Sequence, residues 1–237
     1  MTPVIQIIVL TLLLAPFCSD AQQNNDHRDA LVIKATSDFD ITGTGGAKEW
    51  QTTEWIQIPK RRGTADYSTR AKLLYSDTGL YGLFSCQDKT ITATLKEDFA
   101  RLWTEDVVEI FLWTDESVPL YFEYELSPLN YELPILVPNM EGDFLGWRPW
   151  QYEGARKIRH ATKVVRDQSG KTTEWIAEFC IPYALLKPLR NVPPEKGAQW
   201  RINMYRNDFD QDQTSWSWRR VEKSYHDYEN FGVIRFE

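Results

Sequence analysis

The sequence predicts an all-β fold, an antiparallel β-sandwich of immunoglobulin or jelly-roll type with one short helix and long loops. Three observations predict it. From Leu31 onward, short runs rich in β-branched and aromatic residues recur, each bounded by Asp, Gly, Pro or Ser. Within those runs apolar and polar side chains alternate, which is the period of a strand with one buried face. No sustained helical period separates the runs, so hairpins and not strand–helix–strand units connect them.

The chain has 237 residues, enough for one domain with a sizeable core. Residues 1–21 read as a secretory signal peptide. An apolar run from Val4 to Leu14 is broken only by Gln6 and Thr11 and is too short to span a bilayer. Ser19 and Ala21 then supply the small residues of a cleavage site before Gln22. The n-region lacks Lys and Arg, and acylation at Cys18 is the second reading, opposed by Phe17 just before it. The mature protein is therefore expected to be secreted or periplasmic and free of the membrane. Residues 22–30 are polar and read as a disordered tether, and residues 31–237 as the single domain.

The strands expected are 71–75, 80–86, 106–113, 120–126, 172–181, 200–205 and 232–236. Ser76-Asp77-Thr78-Gly79 joins the first two as a tight turn. Pro182 to Leu189 is the short helix, with Pro182 suited to its start and Pro188 to its end. Residues 127–155, rich in Pro and Gly, read as a long loop over one end or face of the sheet. Cys86 and Cys180 are left in the mature chain, and either a disulfide or two buried thiols is compatible with their placement.

Signal removal takes away one acid, Asp20, and no base, leaving 27 basic against 33 acidic side chains. That balance does not favour a nucleic-acid partner. The 10 Trp, 11 Tyr and 11 Phe of an otherwise polar chain point to rings placed on half-wet surfaces. Alternation sorts three strands into faces. Val108, Ile110 and Leu112 oppose Val107, Glu109, Phe111 and Trp113. Phe122, Tyr124 and Leu126 oppose Tyr121, Glu123 and Glu125. Trp200, Ile202 and Met204 oppose Arg201, Asn203 and Tyr205. If the three lie in one sheet, their second faces make one surface of carboxylate, amide, guanidinium and ring. A pyranose needs that mixture, rings for its C–H patch and bidentate polar groups for its hydroxyls. A polar, solvated sheet face without a role is the competing reading.

Asp208, Asp210 and Asp212 place acidic oxygens at alternate positions, a donor type that suits calcium, although a solvated acidic turn looks the same in sequence. Trp147 with Trp150, and Trp216 with Trp218, form ring pairs of which one member each is expected to be buried. Met204 alternates with core residues, so no haem is expected. Carboxylates such as Glu109 and Glu123 supply candidates for a glycoside-hydrolysing pair, but nothing in the sequence marks one as a proton donor.

The run Leu102-Trp103-Thr104-Glu105-Asp106-Val107-Val108-Glu109-Ile110-Phe111 resembles the Trp-x-x-Asp-x-Val-Glu-Val-Phe signature of family 9 carbohydrate-binding modules. Leu80-Tyr81-Gly82-Leu83-Phe84 through Asp88, Tyr121-Phe122-Glu123-Tyr124-Glu125, Trp175 to Pro182, and the ending Trp216-Ser217-Trp218, His226, Asn230-Phe231-Gly232 resemble its other elements in order. The resemblance implies a β-sandwich that clamps a sugar between two rings. It assigns one ring to Trp103, a hydroxyl-binding carboxylate to Glu109 and the second ring to Tyr225, where the family carries Trp. Tyr205 stands where the family has Gln, and Glu123 where it has Arg. Structural calcium is implied as well. The expected function is an exported, non-catalytic module that captures oligo- or polysaccharide, alone or beside separate glycan-degrading enzymes. Trp147 or Trp150 is a further candidate wall, and Asn203 and Arg201 are further hydroxyl ligands. A carboxylate-pair enzyme and a protein-binding sandwich with a degenerate sugar site are the rivals.

Overall fold

The computed structural model describes residues 30–150, 152–210 and 212–237. The expected signal peptide, Cys18 and all of the expected tether except Ala30 lie outside these residues. No helix among the described residues is long and apolar enough to cross a membrane.

Among the described residues fifteen strands are formed in chain order: β1 (Leu31–Ala35), β2 (Ile56–Gln57), β3 (Lys60–Arg62), β4 (Thr69–Tyr75), β5 (Gly79–Gln87), β6 (Val107–Trp113), β7 (Leu120–Leu126) and β8 (Glu132–Met140), then β9 (Asp143–Phe144), β10 (Arg148–Pro149), β11 (Arg159–Arg166), β12 (Thr172–Pro182), β13 (Gln199–Asp208), β14 (Thr214–Ser217) and β15 (Gly232–Phe236). They make two layers. One runs β10-β8-β7-β6-β13-β15, the other β4-β5-β12-β11, and β1 links them. The first half of β1 pairs with β15 and the second half with β4, both in parallel. These parallel pairs depart from an otherwise antiparallel arrangement. The main core fills the space between layers: Val108, Ile110, Leu112, Phe122, Tyr124 and Met204 from one side meet Leu73, Phe84, Trp175 and Phe179 from the other. Every core face expected from alternation in β6, β7 and β13 is a face of this core.

The turn at 76–79 forms as expected, with Ser76 N donating to Gly79 O at 2.9 Å. The helix is shorter than expected, one turn at Tyr183–Leu186. The expected loop at 127–155 is wrong in its middle, because Glu132–Met140 is a nine-residue strand. Pro134 and Pro138 suggested a loop. Both turn their backbones away from β7, where Pro134 O accepts from Trp150 N and Pro138 O from Leu145 N. A proline that owes no N–H to the main ladder is tolerated near a sheet edge. Gly82 and Gly232 are places where a side chain has no room. A Cβ would lie 2.2 Å from the Phe179 ring at Gly82 and 2.5 Å from the Trp218 ring at Gly232. Cys86 and Cys180 are buried free thiols, one in the main core and one in a cluster with Trp50 and Tyr81 on the outer face of the second layer.

Candidate functional site

The outer face of the first layer is not bare. Alternation sends Glu109 and Phe111 of β6, Tyr121, Glu123 and Glu125 of β7, and Asn207 of β13 to that side. The ladders set Glu109 opposite Glu125 and Phe111 opposite Glu123. Three segments fold over this face: the turn carrying Trp103, the arm from β9 to Trp147, and the stretch that brings in Tyr225 and His226. Together they enclose a cavity of about 400 Å³ whose floor is Glu109, Glu123 and Glu125. Arg61, Arg62 and Lys223 stand on its lining as well. Trp103 and Trp147 are half-buried and meet edge to face, with centroids 5.7 Å apart at 76°. Trp147 is thus a corner beside Trp103 and not a parallel jaw.

The floor is buried, which the competing picture of a solvated polar face does not allow. Glu109, Glu123 and Glu125 are 3%, 4% and 1% exposed. Burial pushes the Glu109 carboxyl up to about 8. Burial, reinforced by the charge of Glu109, raises Glu123 and Glu125 well above the carboxylate range. Glu109 Oε1 accepts from Asn207 Nδ2 at 3.1 Å. Asn207 Oδ1 in turn accepts from the Tyr225 hydroxyl at 2.9 Å. The Tyr225 ring stacks on Tyr205 at 4.1 Å and 13°. His226 Nδ1 lies 2.6 Å from the Tyr121 hydroxyl, and its ring stacks on Phe144 at 4.0 Å. Burial lowers its pKa to about 4, so it is neutral at pH 7.

Of the residues expected to share a binding site, the structure brings together Trp103, Glu109, Glu123, Tyr225 and Trp147. The others lie elsewhere. Tyr205 is buried beneath Tyr225 and holds it, its hydroxyl donating to Tyr225 O at 2.8 Å. Asn203 is buried too, spent on the Tyr205 hydroxyl and Arg219 O. Arg201 sits at the far end of β13, paired with Glu116 and bonded to Phe231 O and Glu229 O. Trp150 packs on the main core and donates to Leu185 O. Alternation gave the right row on β13 but not how far along that row the cavity extends. Asn207, Glu125, Phe111 and His226 complete the site. Asn207 is the next outward residue after Tyr205, one step beyond where the sequence suggested the strand ended. Of the two ring pairs, Trp216 is buried with Trp218 half-buried, while Trp147 and Trp150 are both half-buried.

A second acidic cluster faces the core side of β13. Asp88, Asp208 and Asp210 place carboxylate oxygens within 4.8 Å of one another. Arg206 Nη2 contacts Asp88 at 2.9 Å and Asp208 at 2.6 Å. Oδ1 of Asp210 is buried without a partner, so one acceptor of this hard-oxygen set is still open toward a cation, and the donor type fits calcium. Asp212, expected in the same set, is exposed and binds Thr64 and Thr214 instead.

A wider groove of about 1160 Å³ crosses the outer face of the other layer between Asp40, Lys157 and Lys187. It lacks the pairing of half-exposed Trp rings with buried carboxyls.

Fold and cavity together define a β-sandwich binding module. The chain belongs to the carbohydrate family 9 binding domain-like family, whose model matches residues 41–237. Its fold is shared by a Bacteroides uniformis protein provisionally described as carbohydrate-binding, at TM-score 0.74 and 13% identity over 88% of this chain and 99% of that one. A family 9 module from Caldicellulosiruptor kristjanssonii is also similar. Its cellotriose complex matches at TM-score 0.63 and 16% identity, over 88% of this chain and 93% of that one. Its glucose complex matches at 0.62 and 16%, over 88% and 95%. No curated protein matches.

Proposed function

We propose that this chain is an exported, non-catalytic module that captures an oligo- or polysaccharide in the cavity beneath Trp103. The observation that carries the reading is the placing of half-exposed aromatic rings over a buried carboxyl floor in one cavity of about 400 Å³. Trp103 stacks on the C–H face of a sugar, Trp147 and Tyr225 wall it, and Glu109 and Glu123 accept its hydroxyls. The C. kristjanssonii module of the same family is in complex with cellotriose and with glucose. The leader of residues 1–21 takes the chain out of the cytoplasm, where it works beside separate glycan-degrading enzymes. Asp88, Asp208 and Asp210 would hold a structural calcium ion, which would add positive charge beside Arg206.

One observation favours a hydrolase, the raised Glu109 carboxyl. A glycosidase pair needs its two carboxyls pushed apart, one protonated and one held ionised. Here Glu109, Glu123 and Glu125 all move up together, which leaves no member poised as nucleophile or base.

The test is a glycan array followed by calorimetry on wild type and Trp103→Ala. Replacing a central stacking Trp lowers affinity at least ~30-fold, about 2 kcal/mol, with the circular dichroism unchanged. A well-folded wild type that binds no glycan overturns the reading. Turnover of a glycoside that disappears in Glu109→Gln would establish the hydrolase in its place.

A further inference from the structure

A sugar hydroxyl both donates and accepts, so a neutral sugar is served by a floor that mixes amides or guanidinium groups with carboxylates. The floor of this cavity is one-sided. Glu109 and Glu125 face each other directly across the β6–β7 ladder, and Glu123 stands one outward position along from Glu125. Like charges opposed across a ladder are destabilising, and removal from water enlarges the cost. The Oε2 atoms of Glu123 and of Glu125 are buried with no hydrogen-bond partner, and both residues line the cavity.

The protein's nearby donors answer this acceptor set only in part: the Trp103 backbone N–H reaches Glu125, and Glu123 and Glu125 share a side-chain hydrogen bond. The Asn207 amide serves Glu109, and Tyr225 donates to Asn207. His226 is the one basic group of the described residues within ion-pair distance of the floor, 3.7 Å from Glu123 Oε2. Its Nδ1 is shared with the Tyr121 hydroxyl. Arg61 turns its Nε to Val221 O, and Arg62 turns Nη2 to Gln213. Arg62 and Lys223 are exposed, so solvent screens them. The buried floor carboxyls are held largely protonated while the cavity is empty, and a cation brought against them is what lets them ionise.

A metal ion does not suit the floor. Its oxygens do not converge to one coordination sphere, whereas those of Asp88, Asp208 and Asp210 lie within 4.8 Å of one another. A primary ammonium does suit it. It spreads three N–H donors over separate acceptors in charge-assisted hydrogen bonds, and the Trp rings beside it add cation–π attraction. Resting on the saccharide reading above, we infer that the ligand is an unacetylated amino sugar, whose protonated amine sits on the Glu109, Glu123 and Glu125 floor.

Calorimetry on the full chain at pH 7 tests this with a β-1,4-linked glucosamine disaccharide, its N-acetylated counterpart and cellobiose. The free-amine disaccharide binds at least about tenfold tighter than either neutral one, the size of one charge-assisted hydrogen bond. In Glu123→Gln the ratio of amine to cellobiose affinity falls toward one. Should that variant fail to fold, Glu125→Gln carries the same expectation. Cellobiose binding as well as or better than the amine overturns the amine assignment and leaves the saccharide reading standing. A folded wild type that binds none of the three overturns both.

Discussion

Arg206 and Asn207 are neighbours on β13 and point to opposite faces, and each meets a cluster of buried acids. On the core side, Arg206 carries a full positive charge to Asp88 and Asp208, and its Nη1 also binds Gln87 O at 2.7 Å. On the cavity side, Asn207 carries a neutral amide to Glu109, with Glu123 and Glu125 beyond it. The first cluster is closed off: Asp88, Asp208 and Arg206 are each fully buried. The second opens to a cavity. On the function proposed above, the difference separates a structural acid cluster from a recognition one. Where charge joins the layers, Arg206 neutralises two of the acids from within the chain and leaves only Asp210 Oδ1 for an added ion; at the cavity floor no such internal cation is placed among the described residues.

The sharpest way to break that comparison is to remove the cation. Arg206→Met takes the guanidinium from two fully buried carboxylates. Stripping one partner from a buried ion pair leaves the other uncompensated, at a cost of roughly 3–5 kcal/mol. Urea unfolding should show a loss of that order. A loss under about 1 kcal/mol would mean that Asp88 and Asp208 do not depend on Arg206, and the contrast between the two faces would fail.

The opposite substitution belongs on the cavity side. Glu123→Gln removes one of three mutually repelling buried carboxyls without changing shape. Above pH 8, where the floor begins to ionise, the ligand-free variant should be more stable than wild type by about 1 kcal/mol. The pH dependence has a definite sign. Glu109 moves from its ordinary 4.5 up to about 8, Asp106 from 3.8 to about 8 and Asp88 to about 7, so between those limits the native state holds more protons than the unfolded chain. Stability therefore falls as pH rises through this window. His226, lowered from 6.5 to about 4, works the other way but only below 6.5. From pH 6.5 to 8 the carboxyls act alone, and the melting temperature of wild type should decline across that range. The decline should be shallower in Glu123→Gln. A flat wild-type profile would show that the floor is not desolvated as the structure has it.

Much of this was legible in the sequence because alternation is a local property. The assignment of Glu109, Glu123 and Tyr205 to one side of their strands, and of Met204 to the other, needs only the two-residue period and a hydrophobic partner layer. Adjacency of β7, β6 and β13 was a condition that alternation could not supply; the ladders between them meet it. Depth along a strand was not legible. Arg201, Asn203, Tyr205 and Asn207 share one side of β13, yet only Asn207 reaches the cavity, because the covering segments from Trp103, Trp147 and Tyr225 fold over one end of the sheet. Those segments come from distant parts of the chain, and no local pattern says where they land. Burial of the glutamates was hidden for the same reason. On the strands alone they read as solvated. Pro134 and Pro138 misled in the other direction, since strand formation depended on both prolines facing away from the β7 ladder, toward the short β9–β10 arm.

The smallest effect belongs to the acids after β13, where sequence spacing suggested one alternating set. The structure divides them. Asp208 is fully buried against Arg206. Asp210 is part-buried, accepts from the Tyr67 hydroxyl and leaves Oδ1 open beside Asp88. Asp212 is exposed and held by Thr64, whose hydroxyl lowers its pKa. A series of Asp→Asn variants, melted with calcium and with chelator, ranks them. Calcium should raise the wild-type melting temperature, and Asp210→Asn should lose most of that increment while keeping the Arg206 pair. Asp212→Asn should melt within about 2 °C of wild type and keep the whole calcium increment, as a surface substitution outside the cluster does. An increment that vanishes with Asp212 and survives loss of Asp210 would place the ion in the exposed turn. The core-side cluster would then be complete with Arg206 alone.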